Sequence, residues 1–471
     1  MRRIGLEALM KHWIRLVAQL AACSLLAAAG NPPTDGRMSL REAVEFALAH
    51  SPDLKSAQAE VARRQGLVTT AHSFLMPQVD LSADASRTRF EHGYPFGITP
   101  SLLRFDTALY TGTADLKFLA WDFHKTVHEL AATRERVEAA RATVDRRRQE
   151  IVFETARLYL QTLAYSDLID AAEARTKSLQ SLLDLTNQLV KGGRAVPVDA
   201  LKIQTRLAQV ESDLATLRSG QRSSLSALAA VMGFEGDLPQ LRYTPASSEL
   251  PPPAEPENEL LHQGEASRSE IVSQGHEIRA SEQAEAAARK SGLPRVDFRA
   301  SAIQYGSNNP VGFPQLIGKL LPSFPSNVPS PGNAATDWIV GVHVSFPLFD
   351  GGRRKGQIQA ARAQLEESRL AQQQLQFRIS REVRTSEAEL ESAESRVKSL
   401  RDSVFESERV LHDEQLKFEA GRSVINFVLD AESALLTTQS LLSQAERSVS
   451  TAALALDLSL GRIDIGRLPN P

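Results

Sequence analysis

The stretch Trp338-Ile339-Val340-Gly341-Val342-His343-Val344-Ser345-Phe346 decides the fold of this chain. Large apolar side chains occupy every second position, and aromatic residues stand at both ends. A β-strand with this period turns one face to an apolar phase and the other to water, as a membrane-spanning strand must. It would extend about 27 Å along its axis, or about 20 Å in height when tilted, which fits the apolar band of a membrane barrel.

The same alternation occurs at three other places, so that strands are predicted at 79–85, 110–118, 296–302 and 338–346. For any one of them an ordinary half-buried hairpin is the commoner explanation, but four such strands, each beside a long helix, favour membrane strands. Four strands cannot close a barrel, for which about eight is the practical minimum. Because open strand edges must be paired, several chains are expected to share one barrel.

The chain also repeats itself. A constant offset of 228 positions relates Phe118, Asp122, Gly193 and Gly233 to Phe346, Asp350, Gly421 and Gly461. An offset this constant predicts two internal repeats, since a chance match without insertions over such a length is improbable. The predicted organisation is a leader at 1–29, a first repeat at 39–240, a Pro-rich linker at 241–257 and a second repeat at 258–465.

Each repeat reads as a helix, a hairpin of strands, a very long helix, a turn and another helix. The first helix is predicted over 39–73, with Ser39 as N-cap and Glu42 three residues later. In the segment 122–190, apolar or small residues recur every seven positions, at Leu130, Val137, Val144, Ile151, Leu158, Tyr165, Ala172 and Leu179. This period predicts a left-handed coiled coil of roughly 100 Å, although a solvated coiled-coil rod explains the helices alone equally well.

The N-terminus has the features of an export signal. Residues 1–15 carry a basic excess, and an apolar run with small residues follows at 16–29. This pattern predicts a secretory signal peptide with cleavage near Ala29. The alternative is a lipobox, Leu20-Ala21-Ala22-Cys23, which would leave Cys23 lipidated as the first residue. No apolar run of about 18 residues follows, so no transmembrane helix is expected in the exported chain.

Composition and motifs exclude several function classes. A net charge of -3 disfavours nucleic acid as a partner, and a single cysteine excludes a disulfide framework. His124 and His128 have the i, i+4 spacing of zinc ligands on a helix, but no third ligand lies nearby in sequence. The sequence has no P-loop, nucleophile elbow or dinucleotide fingerprint. We therefore predict no enzymatic activity, no cofactor and no metal site.

Four segments resemble the TolC-like outer-membrane efflux protein family: SLREAVEFALAHSPDL at 39–54, LPRVDF at 293–298, SFPLFDGGR at 345–353 and FEAGRSVINFVLDAESALL at 418–436. The resemblance covers about 39–465. It implies an α+β membrane protein, a homotrimer whose four transmembrane strands per chain complete a 12-stranded barrel in outer-membrane lipid. A 12-helix α-barrel of long coiled-coil helices would cross the periplasm below it.

The resemblance implies a passive exit duct of a tripartite efflux pump or type I secretion system. A periplasmic adaptor, or membrane fusion, protein would join it to an inner-membrane transporter. The alternative is a periplasmic coiled-coil adaptor or structural protein without a pore. An adaptor should carry a lipoyl-like domain beside one hairpin, whereas here both hairpins of helices adjoin alternating strands. The exported substrate does not follow from these residues.

The resemblance also assigns roles to the two turns between long helices, 191–200 and 419–428. They would form the periplasmic tip, and the residues expected to line the adaptor-docking surface are Gly193, Arg194, Gly421 and Arg422. Glycine suits these turns because it can end a helix in the left-handed conformation.

The gate is predicted at the same tip. Asp430 matches a ring of acidic residues in the family, and Phe427 occupies a second ring position where Asp often stands. Three Phe427 rings on the axis would exclude water, with Asp430 selecting cations; alternatively, Phe427 packs inside its own hairpin. Asp199 and Phe418 match positions that hold the closed tip together, but Phe418 has no hydroxyl to donate.

Overall fold

The computed structural model describes residues 37–91, 104–193, 195–236, 238–242, 256–307, 334–420 and 422–468. In chain order its elements are β1 (Arg37–Met38), α1 (Leu40–His50), α2 (Pro52–Ser73), β2 (Gln78–Glu91), β3 (Arg104–Trp121), α3 (Lys125–Lys191), α4 (Pro197–Met232), β4 (Gln240–Leu241), α5 (Glu257–Ser267), α6 (Ser269–Lys290), β5 (Arg295–Ser307), β6 (Ala334–Ser345), α7 (Arg353–Glu419) and α8 (Ile425–Ser459). The predicted leader 1–29 with Cys23, most of the predicted linker 241–257, and the residues Arg194 and Gly421 lie outside the described residues.

Apart from the two-residue strands β1 and β4, the two halves of the described chain carry the same order of elements. Each has two short helices, two long strands, a helix of 67 residues, and a helix of 36 or 35 residues. Contacts between residues divide the chain into two compact units that do not coincide with the two halves. One unit consists of Met1–Lys55, Arg148–Leu260 and Val383–Pro471, and the other of Ser56–Arg147 and Leu261–Glu382. Each unit contains residues from both halves of the chain. The predicted repeat boundaries therefore stay a prediction.

The four predicted strands form one antiparallel sheet in the order β2-β3-β5-β6. Its register places Leu81 opposite Ala114, Ala114 opposite Ala302, and Ala302 opposite Trp338. Since paired residues share a face and side chains alternate along a strand, the apolar positions predicted in all four strands lie on one face. The opposite face is mainly polar: one row carries Asp80, Asp115 and Ser301, and ends in the apolar Ile339 of β6.

The apolar face is exposed in the single chain. Leu81 is 80% and Trp338 75% exposed, although residues of this size are usually buried in a soluble sheet. The strands run further than predicted, to 14 and 18 residues for β2 and β3, because backbone pairing continues where the apolar alternation has already ended. Within the described chain, β2 and β6 each pair on one side only, so each has an unpaired edge.

The long helices confirm the seven-residue pattern. At 67 residues each, α3 and α7 extend about 100 Å. Six of the eight α3 positions with this spacing are buried, and Val144 and Tyr165 are half-buried. α4 runs back along α3, where Arg218 pairs with Glu173 at 2.8 Å, and α8 runs back along α7, where Arg401 pairs with Glu446 at 3.0 Å. Among the described residues, no helix combines the length and apolar content needed to cross a bilayer.

The single helix predicted over 39–73 is wrong, because the segment forms two helices, α1 and α2. The start is as predicted: the Ser39 side chain accepts from the Glu42 N–H, and Glu42 Oε2 accepts from the Ser39 N–H at 2.7 Å. The break falls at Ser51, whose backbone has φ -50° and ψ 126°. Pro52 causes it, since proline disfavours helical ψ in the residue before it and has no N–H to continue the helix.

Sequence periodicity did not reveal the short parallel pairing of β1 with β4, in which Met38 lies opposite Leu241. The buried Tyr159 of α3 fixes this pair, because its hydroxyl lies 3.0 Å from the Met38 carbonyl oxygen and 2.6 Å from that of Arg242. Strands of two residues are too short to show an alternation, so this element has no signal in the local sequence.

A buried ion cluster joins the start of α6 to α7 and α3. Arg268 is only 1% exposed; it donates to Glu270 at 2.6 Å through Nη2 and to Glu382 through Nη1. Arg146 of α3 also reaches Glu270, with 3.0 Å between Nε and Oε1. Burial alone would raise the pKa of Glu270, but the hydrogen bonds from Arg268 and the charge of Arg146 outweigh it and lower that pKa.

The repeat glycines fall where the backbone needs them. Gly233 and Gly461, which end α4 and follow α8, have φ of 67° and 69°. A Cβ on Gly233 would lie 2.8 Å from the His50 carbonyl oxygen, closer than such contacts allow. The position therefore excludes a side chain on two independent grounds.

The Gly233→Ala variant is expected to lose more than about 2 kcal/mol of unfolding free energy, from the left-handed φ and the contact with His50. Urea unfolding followed by circular dichroism measures the loss. Gly66→Ala is the control, because Gly66 lies inside α2 with open space beside it, and alanine there should stabilise the helix. Equal stability of the two variants would contradict the account.

Candidate gate and docking surface at the helical turns

The backbone enters the helix after each turn in the same way. α3 ends at Lys191, Gly193 takes the left-handed φ of 71°, and Pro197 starts α4 as its first residue. The missing N–H of proline costs no helical hydrogen bond at this position, since the first N–H groups of a helix have no partner within it. Val196 and Val424 cap the following helices with extended backbone and no side-chain hydrogen bond.

Both turns rest on one apolar cluster contributed by α3, α4, α7 and α8. Its buried members are Ile169, Ala172, Leu179, Ile203, Val210, Leu214, Phe418, Ile425, Val428 and Leu429. The cluster packs the α3–α4 hairpin against the α7–α8 hairpin in the same compact unit. The position of one turn therefore depends on the position of the other.

Of the two residues predicted to hold the tip closed, Phe418 is a member of this cluster and 8% exposed. Its ring packs among the apolar residues of the cluster, and its role in holding the tip closed stays a prediction. Asp199 is half-buried in the first turn of α4, and its Oδ1 lies 3.6 Å from Lys202 Nζ on the same helix. A link between Asp199 and α7 stays a prediction.

The predicted gate residues lie on one exposed helix face. Phe427 is 59% exposed in the first turn of α8, and Asp430 follows three residues later, also exposed. Residues three apart on a helix are neighbours, so the ring and the carboxylate stand side by side. The alternative that Phe427 packs inside its own hairpin is wrong, because the hairpin interior is filled by Ile425, Val428 and Leu429.

The predicted docking residues Gly193 and Arg422 are exposed at the turns, where Arg194 and Gly421 lie outside the described residues. Sequence reasoning missed the apolar residues that accompany them. Val196, Val198, Leu201 and Val424 are 55%, 49%, 60% and 58% exposed. Four apolar side chains at the ends of neighbouring hairpins form a surface suited to burial against another protein.

Sequence reasoning also missed a buried carboxyl group near the gate. Glu432 of α8 is 8% exposed, and its Oε2 has no hydrogen-bond partner among the described residues. Burial raises the pKa of Glu432, against the opposing charge of Arg175. Its spacing from Val428, Leu429 and Leu435 places it in the apolar stripe of α8, and this is the signal that could have revealed it.

The histidine pair predicted as a weak zinc candidate does not have the expected geometry. His124 has φ 67° and precedes the first residue of α3, so the two histidines are not on one helix. The ring of His128 is held by Gln283 at 2.7 Å and by Lys290 at 2.8 Å. Within the described ranges no three His, Cys, Asp or Glu residues are grouped as metal ligands would be.

The fold and the turns define an α+β protein of long paired helices joined to a β-sheet with one apolar face. Residues 43–234 and 260–462 match the model of the family described as outer membrane efflux protein. The chain belongs to this family, which confirms the resemblance seen in the sequence. It is an outer-membrane efflux protein, and family membership favours the channel over the coiled-coil adaptor or rod.

Relatives support the same conclusion. The outer membrane efflux protein BepC of Brucella suis biovar 1 is 25% identical over 443 residues, covering 92% of this chain and 88% of BepC. The crystal structure of VceC from Vibrio cholerae superposes with a TM-score of 0.69 and 22% identity, covering 90% and 96% of the two chains. The structure of CusC gives 0.73 and 17%, covering 93% and 99%. The structural likenesses show a shared fold over nearly the whole chain.

Proposed function

We propose that three copies of this chain form the outer-membrane exit duct of a tripartite efflux pump or type I secretion system. The observation that carries the proposal is the sheet register, which puts the alternating apolar positions of all four strands on one face and mainly polar residues on the other. A wall with one face to lipid and one to water is the wall of a transmembrane barrel.

The unpaired edges of β2 and β6 support the trimer. An open edge inside a bilayer leaves N–H and C=O groups without partners, which costs several kcal/mol for each group. Pairing β6 of one copy with β2 of the next satisfies both edges. Three copies of a four-stranded sheet then close a barrel of twelve strands, above the practical minimum of about eight.

The two helical turns supply the periplasmic end of the duct. The exposed valines beside Gly193 and Arg422 suit a periplasmic adaptor protein, which would connect the duct to an inner-membrane transporter. On the threefold axis, Phe427 would form an apolar constriction and Asp430 a ring of three carboxylates.

Cell fractionation combined with gel electrophoresis of unheated samples tests the proposal. We expect the protein in the outer-membrane fraction, migrating as a trimer that heating converts to the monomer. Recovery as a monomeric, soluble periplasmic protein would overturn the proposal.

The Asp430→Ala variant should conduct with weakened cation selectivity and weakened block by multivalent cations, because the carboxylate ring attracts and binds them. Reversal potentials in asymmetric salt measure the selectivity. Glu408→Ala is the control, since Glu408 is an exposed acid of α7, about three turns before the end of that helix and away from the first turns of α8. If Asp430→Ala keeps the selectivity of the wild type, Asp430 is not on the axis.

A further inference from the structure

The contact between the two hairpins contains polar groups as well as the apolar cluster. Arg206 of α4 donates to the Ser433 hydroxyl of α8 at 2.8 Å, and Arg447 of α8 reaches Asp167 of α3 at 3.0 Å. Glu432 lies next to Ser433 at the same contact, with Arg175 of α3 as the opposing charge. The contacts of Ser433 and Glu432 lie just behind the predicted gate, whereas the Arg447–Asp167 pair lies about 20 Å further along α8.

Glu432 and Arg175 each have buried polar atoms that lack a hydrogen-bond partner among the described residues. Glu432 Oε2 and both Nε and Nη2 of Arg175 are buried without a hydrogen-bond partner among the described residues. Because the buried Glu432 and the half-buried Arg175 lack good hydrogen-bonding geometry, their attraction offsets little of the hydration that they lose. A carboxyl group in this position is more stable when it holds a proton than when it is ionised.

We propose that Glu432 is a proton-operated latch between the two hairpins, protonated while they are packed together and ionised when they separate. The inference rests on the proposed gated channel and adds a regulator to it. Separation would admit water to Glu432, and the proton would pass from its carboxyl group to that water.

The direction of the effect follows from the surroundings of Glu432. Burial is the largest influence and raises its pKa above the ordinary 4.5, while the charge of Arg175, a hydrogen bond from Ser178 and the charge of Arg206 act against it. Asp213 of α4 also acts on Arg175. On α7, Glu414 and Lys417 are paired with each other at 2.7 Å, and Asp413 also acts on Lys417.

Because the packed state holds the proton more tightly, low pH favours packing. Packing is fully favoured below the ordinary carboxyl pKa, and the advantage is lost as the pH rises toward the raised pKa of the packed state. Each unit of difference between the two pKa values changes the ratio of packed to separated hairpins by up to about tenfold.

Open probability in planar bilayers, recorded from about pH 5 to about pH 8, tests the latch. The wild type should open more often as the pH rises. Glu432→Gln has the shape of the protonated residue and no proton to lose, so it should stay at the low-pH level throughout. Glu432→Asp should restore the pH dependence, and the control Glu446→Gln, at a half-exposed acid of the same helix, should keep it. A wild-type profile in Glu432→Gln, or a flat profile in the wild type, would overturn the proposal.

A distance measurement tests the latch independently of the proposed channel function. Spin labels at Lys191→Cys and Arg422→Cys, both exposed at the turns, report the separation of the two hairpins. The distance should grow with pH in the wild-type background and stay constant with Glu432→Gln. A distance that is equally pH-dependent in both backgrounds overturns the latch, whereas a protein that conducts in no variant at any pH overturns the proposed function.

Discussion

Replacing Phe427 by alanine is expected to raise the conductance of the purified protein by about tenfold or more. Exposing a large apolar side chain to water costs about 1.5–3 kcal/mol of free energy relative to burying it. A difference of about 1.4 kcal/mol corresponds to a factor of ten in an equilibrium. If three Phe427 rings form the constriction, water and ions enter it more readily once the rings are gone. The exposed position of Phe427 beside Asp430 leaves both side chains free to face an axis.

Phe405→Ala is the matched control for this substitution. Phe405 is 60% exposed on α7, against 59% for Phe427, so the two variants remove equally exposed rings. Single-channel recording should show an increase for Phe427→Ala and wild-type current for Phe405→Ala. Unchanged conductance in Phe427→Ala would place Phe427 away from the narrowest part of the pore.

The Arg268→Ala variant is expected to lose about 3 kcal/mol of unfolding free energy. Removing one member of a buried ion cluster leaves the others without compensation, which costs about 3–5 kcal/mol. The lower value applies because Glu270 keeps Arg146 as a partner and the Glu382 side chain is 37% exposed. Urea unfolding of the detergent-solubilised protein measures this loss.

Arg409→Ala provides the comparison for a surface ion pair. Arg409 lies 3.4 Å from Glu406, and both side chains are about two-thirds exposed. Such pairs contribute about 0–1 kcal/mol, since water and salt screen them. A loss in Arg268→Ala no larger than in Arg409→Ala would show that the buried cluster does not stabilise the fold.

Much of the fold was predictable because its signals are local and periodic. The alternation from Trp338 to Phe346 gave a strand and also the face it presents, and the register of the sheet confirmed that assignment. The seven-residue spacing from Leu130 to Leu179 gave α3. The break before Pro52, which the prediction of a single helix over 39–73 missed, also had a local signal, because a proline inside a helical pattern ends or displaces the helix.

The rest depended on contacts between segments far apart in sequence. Arg268 and Glu432 carry charges that usually mark solvent-facing helix positions, and only the packing of neighbouring helices buries them. The pairing of β1 with β4 joins residues about 200 positions apart. The gate positions Phe427 and Asp430 came from the family resemblance, and the structure adds that both lie on one exposed face of α8.

Single-channel recording of the purified, unheated protein in a planar bilayer tests the central claim, that the chain forms a gated duct through the outer membrane. We predict stepwise, cation-selective currents that increase when Phe427 is replaced by alanine. A bilayer that stays silent with both the wild type and the Phe427→Ala protein would contradict the account.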